Sequence, residues 1–488
     1  MLQHAHRRLH SAIGTPPIVA GALLLAASGC SGGPGGGEEA EAAQPWSSTE
    51  VNAVSRPIAG AGVAAVTGLR PDGRLETSVY DLAEGKRLWA QPATMAGRLS
   101  GMGVQPPAVT GALGGGLVTA LEPRKPGNQS GKTSGNWNAT LVARDSRTGT
   151  EKWTRPVHST FGPVECGPSV CLSEFTATEK ARFVALDPAT GKARWQTPGV
   201  AEVQHADGSK VVLFRMSDRP ALEARDLRTG RTLWNFPVER AVGTGVNLSG
   251  GWAFGALDAE NAQNGMLIGY LAPYQARKGG PMSPYGFFGV RLSDGKQVWA
   301  RKRLLRVYPS ANPAVALVAR AIPTSGYGGF ERLDPRTGRT TGKLGADKAP
   351  KSVWWMSFPD DLGELGFVTQ GKPGAAYDLR SGAKVTDKAL RTWSFCTMKP
   401  SELKITGLRG FYPVAPLCAY EVATGKKAAS PGTPPAWYTG VSDGWRVWRD
   451  ERGALHGVKD TKGNGSDIKG SGTRGNGTKG NIPGMYGT

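Results

Sequence analysis

The segment Ala185-Leu186-Asp187-Pro188-Ala189-Thr190-Gly191-Lys192-Ala193-Arg194-Trp195 is one of eight copies of a unit spread along this chain of 488 residues. The others centre on Asp81/Gly85/Trp89, Asp145/Gly149/Trp153, Asp226/Gly230/Trp234, Gly295/Trp299, Asp334/Gly338, Asp378/Gly382 and Glu421/Gly425. Their glycines are separated by 64, 42, 39, 65, 43, 44 and 43 residues. A period near 40 with strand-like flanks marks a protein built from repeated blades, each burying its apolar faces against its neighbours. The expected fold is therefore all-β, a closed β-propeller of four-stranded blades, with eight blades expected and seven the alternative.

Each copy reads as strand, tight turn, strand. An alternating segment such as Arg182-Phe183-Val184-Ala185-Leu186 suits a half-buried strand. The Asp that follows can accept a hydrogen bond from its own backbone two residues on, and the Gly takes a positive φ without steric cost. Four residues later Trp89, Trp153, Trp195, Trp234 and Trp299 fall on the returning strand. A ring of that size needs a buried face and a partner for its N–H, so these tryptophans are expected to pack between one blade and the next.

On these residues the unit resembles the PQQ-like propeller repeat, roughly A-x-D-x-x-T-G-x-x-x-W, over residues 50–458. Copies six to eight depart from it, with Gly342, Thr386 and Ala429 in the place of Trp. The two long intervals hold insertions at Pro123–Asn138 and at about Asp258–Pro284. After the eighth turn, residues 445–449 and 454–458 read as strands expected to close the ring against N-terminal strands.

Ahead of the repeats, Arg7 and Arg8 precede an apolar run, residues 18–27, ending in Ala27-Ser28-Gly29-Cys30. This is the pattern of a secretory signal, residues 1–29, and is too short for a membrane span. Its end resembles a bacterial lipobox, which implies that Cys30 is diacylated after cleavage and holds the protein on the extracytoplasmic face of the cell membrane. Residues 30–49 are expected to be a tether, and the Gly-, Lys- and Asn-rich stretch 459–488 a tail without a core of its own. Of five cysteines, Cys166, Cys171, Cys396 and Cys418 are then left. An even number in an exported chain points to two disulfides with three possible pairings, Cys166–Cys171 and Cys396–Cys418 being the expected one.

The net charge is +20, and +18 once Arg7 and Arg8 leave with the signal. A basic surface gathers anionic partners; export directs the expectation away from nucleic acid and toward cell-wall polymer or lipid headgroups. Gly440-Val441-Ser442-Asp443-Gly444 matches a nucleophile-elbow string, but it lies between strands and reads as a hairpin turn. Gly127–Thr133 is one residue short of a phosphate-binding loop. His158, His205 and His456 have no metal-ligand spacing. Trp354 and Trp355, adjacent on a strand, would face opposite sides.

The expected function is a lipid-anchored binding or scaffolding module of the cell envelope that contacts other envelope proteins. In organisation the chain is similar to the propeller lipoproteins related to the assembly factor BamB, and its Arg-, Ala- and Gly-rich composition suits a high-GC Gram-positive source. No catalytic, cofactor or metal residue is assigned and no cofactor is expected. The alternatives are a binder of anionic envelope polymer or lipid, and a quinoprotein dehydrogenase carrying its quinone on the propeller axis.

Overall fold

The computed structural model describes residues 44–459 apart from internal stretches, the longest being 125–138, 307–315, 345–351 and 397–410. Among the described residues the chain is almost wholly strand and turn, with a four-residue helix, Glu239–Val242, and one 3-10 turn. Antiparallel pairing collects the strands into eight sheets: six of four strands, one of five and one of six. In the third sheet, Ser159–Cys166, Ser169–Phe175, Ala181–Leu186 and Ala193–Pro198 pair in chain order. The fourth and fifth sheets repeat this order. One strand of each sheet touches its counterpart in the next, from the terminal sheet through the fifth: Gly440–Ser442, Ile58–Gly60, Ala108–Thr110, Ser159–Cys166, Val200–Ala206 and Trp252–Leu257, which places these strands on the inside.

The described apolar side chains do not gather into a single core. They form layers between neighbouring sheets: Phe214, Leu222, Trp234, Phe254 and Phe288 lie between the fourth and fifth, and Cys171, Phe183, Trp195, Val203 and Leu213 between the third and fourth. This is the expected consequence of strands that alternate in and out on both faces of each blade.

The repeat turn has the chemistry read from the sequence. Asp145 Oδ1 accepts the N–H groups of Arg147 and Thr148, and the same bonds recur at Asp187 and Asp226. Turn glycines sit at positive φ, for example 67° at Gly191. What makes glycine obligatory there is the neighbouring sheet: a Cβ on Gly191 would lie 2.6 Å from Trp153 Cε3.

That contact is one of a chain. Trp89 donates its indole N–H to Ser146 O at 2.9 Å, Trp153 to Pro188 O at 2.7 Å and Trp195 to Leu227 O at 2.8 Å. Trp234 reaches Leu292 O at 3.1 Å and Trp299 reaches Pro335 O at 2.9 Å. Each acceptor immediately follows the first residue of the next turn, and each ring covers that turn's glycine, at Gly149, Gly191, Gly230, Gly295 and Gly338. Each Trp thus locks its own sheet to the next.

Four expectations need correction. Residues 46–48, placed in the tether by sequence, form the strand Trp46–Ser48, which pairs with Leu455–Lys459. Trp46 donates to Leu82 O at 3.0 Å and covers Gly85, so it is the first member of the docking series. The same pairing carries the last strand to Lys459, one residue into the expected tail.

The sheets are also not uniformly four-stranded. Asn52–Ala53 and Ile58–Gly60 both pair with Val63–Leu69, and Arg391–Phe395 with Leu417–Glu421 joins the seventh sheet through Ser357 and Trp393.

The last correction falls on the eighth copy, which does not read as strand, turn, strand. Its turn forms: Gly425 has a φ of 67° and donates its N–H to Glu421 O at 2.8 Å. Leu417–Glu421 leads into it, but the segment after Gly425 is not a strand and returns only through the single bridge of Lys427 to Tyr420. Lys426-Lys427-Ala428-Ala429-Ser430-Pro431 has no large apolar residue to bury, and its proline offers no N–H to a ladder. Gly425 therefore marks a turn of the repeat type and not a hairpin inside a four-stranded blade.

Gly382, the insertion around 125–138, the Gly127–Thr133 string and the side chains of Trp354 and Trp355 lie outside the described residues, as do Cys30, the signal segment and the tail beyond Lys459.

Candidate functional site

Among the described residues, the inner strands carry one buried polar cluster that the frame does not consume. On Val200–Ala206, Ala201 and Val203 pack against the third sheet. Alternation turns Glu202 to the other side, toward the fifth sheet. There its Oε2 accepts the indole N–H of Trp252 at 3.0 Å and the side-chain amide of Gln204 at 3.0 Å. Trp252 opens the first strand of the fifth sheet and leans on Phe214, with ring centroids 5.6 Å apart. Burial raises the Glu202 carboxyl above its ordinary value, opposed by those two bonds. The register slips between Val203 and His205. His205 is buried beside it, its ring held below the ordinary histidine range by burial against the pull of Asp207. Gln204 Oε1 and His205 Nε2 are buried without a hydrogen-bond partner.

On the neighbouring inner strand, Ser159–Cys166, burial pushes Glu165 up to about 7. A small cavity bounded by Gln105, Phe161, Val164, Ser173 and Glu202 has room for one water molecule at most. The cluster can therefore hold a proton or a water, and it ties the fourth sheet to the fifth.

The residues singled out by sequence lie elsewhere. Cys166 is joined to Cys171 across the hairpin at Gly167, and Cys396, just past the strand Arg391–Phe395, to Cys418 on the strand beside it. Glu451 lies against the second pair, with Cys418 Sγ 3.6 Å from its Oε2. Disulfide sulfurs are not thiolates, so the three do not make a metal site as they stand. His456 has Ser47 Oγ 2.9 Å from its Nδ1 and stacks on Trp448. Ser442-Asp443-Gly444 is a hairpin turn between Gly440–Ser442 and Trp445–Arg449. Two features escaped the sequence reading, and both left a trace in it. Trp46 stands one period before Trp89, and Glu202 is the one carboxylate of the strand Val200–Ala206.

Residues 138–251 match the family model of the outer membrane protein assembly factor BamB. The repeat is PQQ-like. The matched region holds three Trp docks in a row, those of Trp153, Trp195 and Trp234. No curated protein matches the chain. Among solved structures it is similar to BamB from Moraxella catarrhalis, at 13% identity over 85% of this chain and 99% of that one, with a TM-score of 0.38. It is similar to an exotype rhamnogalacturonan lyase at 13% identity, over 84% and 76% of the two chains, with a TM-score of 0.41. A europium-containing methanol dehydrogenase stands at 11% identity, over 70% and 79%, with a TM-score of 0.37. Similarities this low say nothing of activity.

A PQQ-like repeat raises the question of the quinone itself. A quinone held with calcium needs six to eight oxygen ligands around the cation. Among the described inner strands the carboxylates are Glu165 and Glu202, and burial drives both toward the neutral form. One Glu202 oxygen is already shared by Trp252 and Gln204. The described residues do not fit the group.

Proposed function

We propose that the chain is an exported, lipid-anchored propeller of eight blades, closed by its N-terminal strand, that serves as a binding scaffold in the cell envelope. The observation that carries this reading is the Trp–turn series. The recurring chemistry of the repeat, Asp, Gly and Trp, goes into joining sheet to sheet, which leaves a stiff frame whose loops are available for recognition. The match of residues 138–251 to an assembly factor supports a protein-contacting role, and Ala27-Ser28-Gly29-Cys30 supports the anchor. One fold hosts many functions, so the test addresses the site and the anchor separately.

Cys30→Ser should shift the protein from the detergent phase to the aqueous phase or leave it uncleaved, because two acyl chains are what make such an anchor stable. Unchanged partitioning would reject the anchor. Purified protein given pyrroloquinoline quinone and calcium should show no saturable binding below about 10 μM and no dye-linked oxidation of alcohols or sugars. Turnover on any of them would replace the scaffold with a dehydrogenase.

A further inference from the structure

Where the seventh sheet meets the terminal one, a carboxylate lies against a disulfide. Cys418 stands on Leu417–Glu421, and Cys396 follows Arg391–Phe395, its N–H donating to Pro416 O at 2.9 Å. Glu451 comes from the terminal sheet, at the tip of the hairpin between Trp445–Arg449 and Leu455–Lys459. That tip is fixed from within and from behind. Asp450 Oδ1 accepts the N–H groups of Arg452 and Ala454 at 2.9 Å, and Gly453 O accepts Ala53 N–H at 2.9 Å. Held there, Glu451 puts its Oε2 3.6 Å from Cys418 Sγ and pairs with Lys427. The two sulfurs and a carboxylate oxygen all lie within 4.8 Å of one another. Both cysteines are buried and Glu451 is about half exposed, so solvent reaches the group from the carboxylate side.

In the bridged form the sulfurs gain nothing from this carboxylate, because a disulfide has no proton to donate. Reduction changes what the three groups can do. Thiols become thiolates when a metal takes them, and a metal ligand must be deprotonated. Two thiolates and a carboxylate drawn together repel one another; a divalent cation and the Lys427 ammonium beside them balance that charge. The Cα atoms of the two cysteines are 4.9 Å apart. An ion about 2.3 Å from each sulfur therefore asks for side-chain rotation and little movement of the strands. The other bridge has no such company: among the described residues, no His, Asp or Glu forms a group of this kind with Cys166 and Cys171.

We propose that Cys396, Cys418 and Glu451 form a redox-gated site for one thiophilic divalent cation, zinc above all, closed by the disulfide and opened by a dithiol reductant. The dithiol passes two electrons and two protons to the bridge, the S–S bond breaks, and the dithiol closes its own disulfide. The two cysteine protons then leave to solvent as the cation binds. Thiolate ligands select zinc over magnesium and calcium. Three protein ligands leave the fourth tetrahedral position to water, on the side that solvent reaches. The ion takes its sulfurs from the seventh sheet and its oxygen from the terminal one, so its binding ties the two together.

The test titrates Zn2+ into the full chain carrying Cys30→Ser, both bridged and after reduction with a phosphine, with circular dichroism to confirm that the chain stays folded. The reduced chain should bind one Zn2+ with a Kd of about 1 μM or tighter and release protons as it does so. With Co2+ in place of Zn2+ it should show thiolate-to-metal charge-transfer absorption. The bridged chain should show none of this. Cys396→Ala with Cys418→Ala should abolish binding although Cys166 and Cys171 remain. Glu451→Gln, at an exposed tip, should weaken binding about tenfold or more, since loss of even an outer partner of a metal site costs that much. Binding as tight in Glu451→Gln as in the parent would mean that thiols alone, or an unfolded chain, take the ion, and it overturns the site. Retained binding in the double cysteine variant, no stoichiometric binding after reduction, or a bridge that the phosphine does not open in the folded chain each overturns it as well.

Discussion

At the scale of single residues, the frame depends on a glycine and an indole that belong to different sheets. Gly191→Ala meets both a φ of 67° and Trp153 at 2.6 Å. We expect it to cost about 2 kcal/mol or more, above the ordinary penalty of an incompatible alanine. Gly208→Ala is the matched control, because a Cβ there meets nothing within 4 Å; it should be neutral or stabilising by up to about 1 kcal/mol. Urea midpoints of the two variants decide the matter. Glu165 makes a second prediction. Its folded pKa of about 7 lies above the unfolded carboxyl value, so its burial is harmless at low pH and becomes a cost as pH rises from the unfolded to the folded value. Glu165→Gln should therefore match the parent near pH 4 and exceed it by about 1–3 kcal/mol at pH 8. An advantage of equal size at both pH values would show that the cost is steric and not ionic.

At the scale of elements, the turn is held from inside and the hairpin from across. Arg194 and Thr190 hold the Asp187 carboxylate below the ordinary range, and the backbone of Thr148 does the same for Asp145. Depressed carboxyls contribute stability that is present above the unfolded value and lost as pH falls through the folded one. Thermal stability should thus decline below about pH 4. The Cys166–Cys171 bridge closes a hairpin of sequence separation 5. A loop that short removes little unfolded-state entropy, so Cys166→Ala with Cys171→Ala should cost only about 1–3 kcal/mol. A cooperative fold retained at moderately reduced melting temperature is the expected calorimetric result; loss of folding would mean that the bridge sets the packing of Phe183 and Trp195 beside it.

At the scale of the whole molecule, the two ends of the described chain meet in one sheet. Trp46–Ser48 completes the sheet of Gly440–Ser442, Trp445–Arg449 and Leu455–Lys459, and Trp46 then docks on the first repeat turn. Trp46 is half-buried, so Trp46→Ala should cost about 2–4 kcal/mol, below the full value for a buried aromatic, and expose both ends to limited proteolysis. Cleavage confined to the N-terminal side, with the last strand protected, would show that the terminal sheet stands without its fourth strand.

Much of this was legible in the chain itself. Asp, Gly and Trp at fixed offsets specify a turn and its flanking strands through local chemistry, and a period near 40 specifies that those units stack. Such signals are local, so they survive without knowledge of neighbours. What neighbours decide was not legible. Trp46 looks like part of a tether until Gly85 and the last strand are beside it. Glu202 becomes a buried acid only because Trp252 of the next sheet covers it. Gly425 makes its turn from local chemistry alone, yet whether a strand follows depends on an apolar layer that the return segment does not supply. Copies seven and eight share one sheet only because Ser357 and Trp393, far apart in the chain, meet across a strand edge.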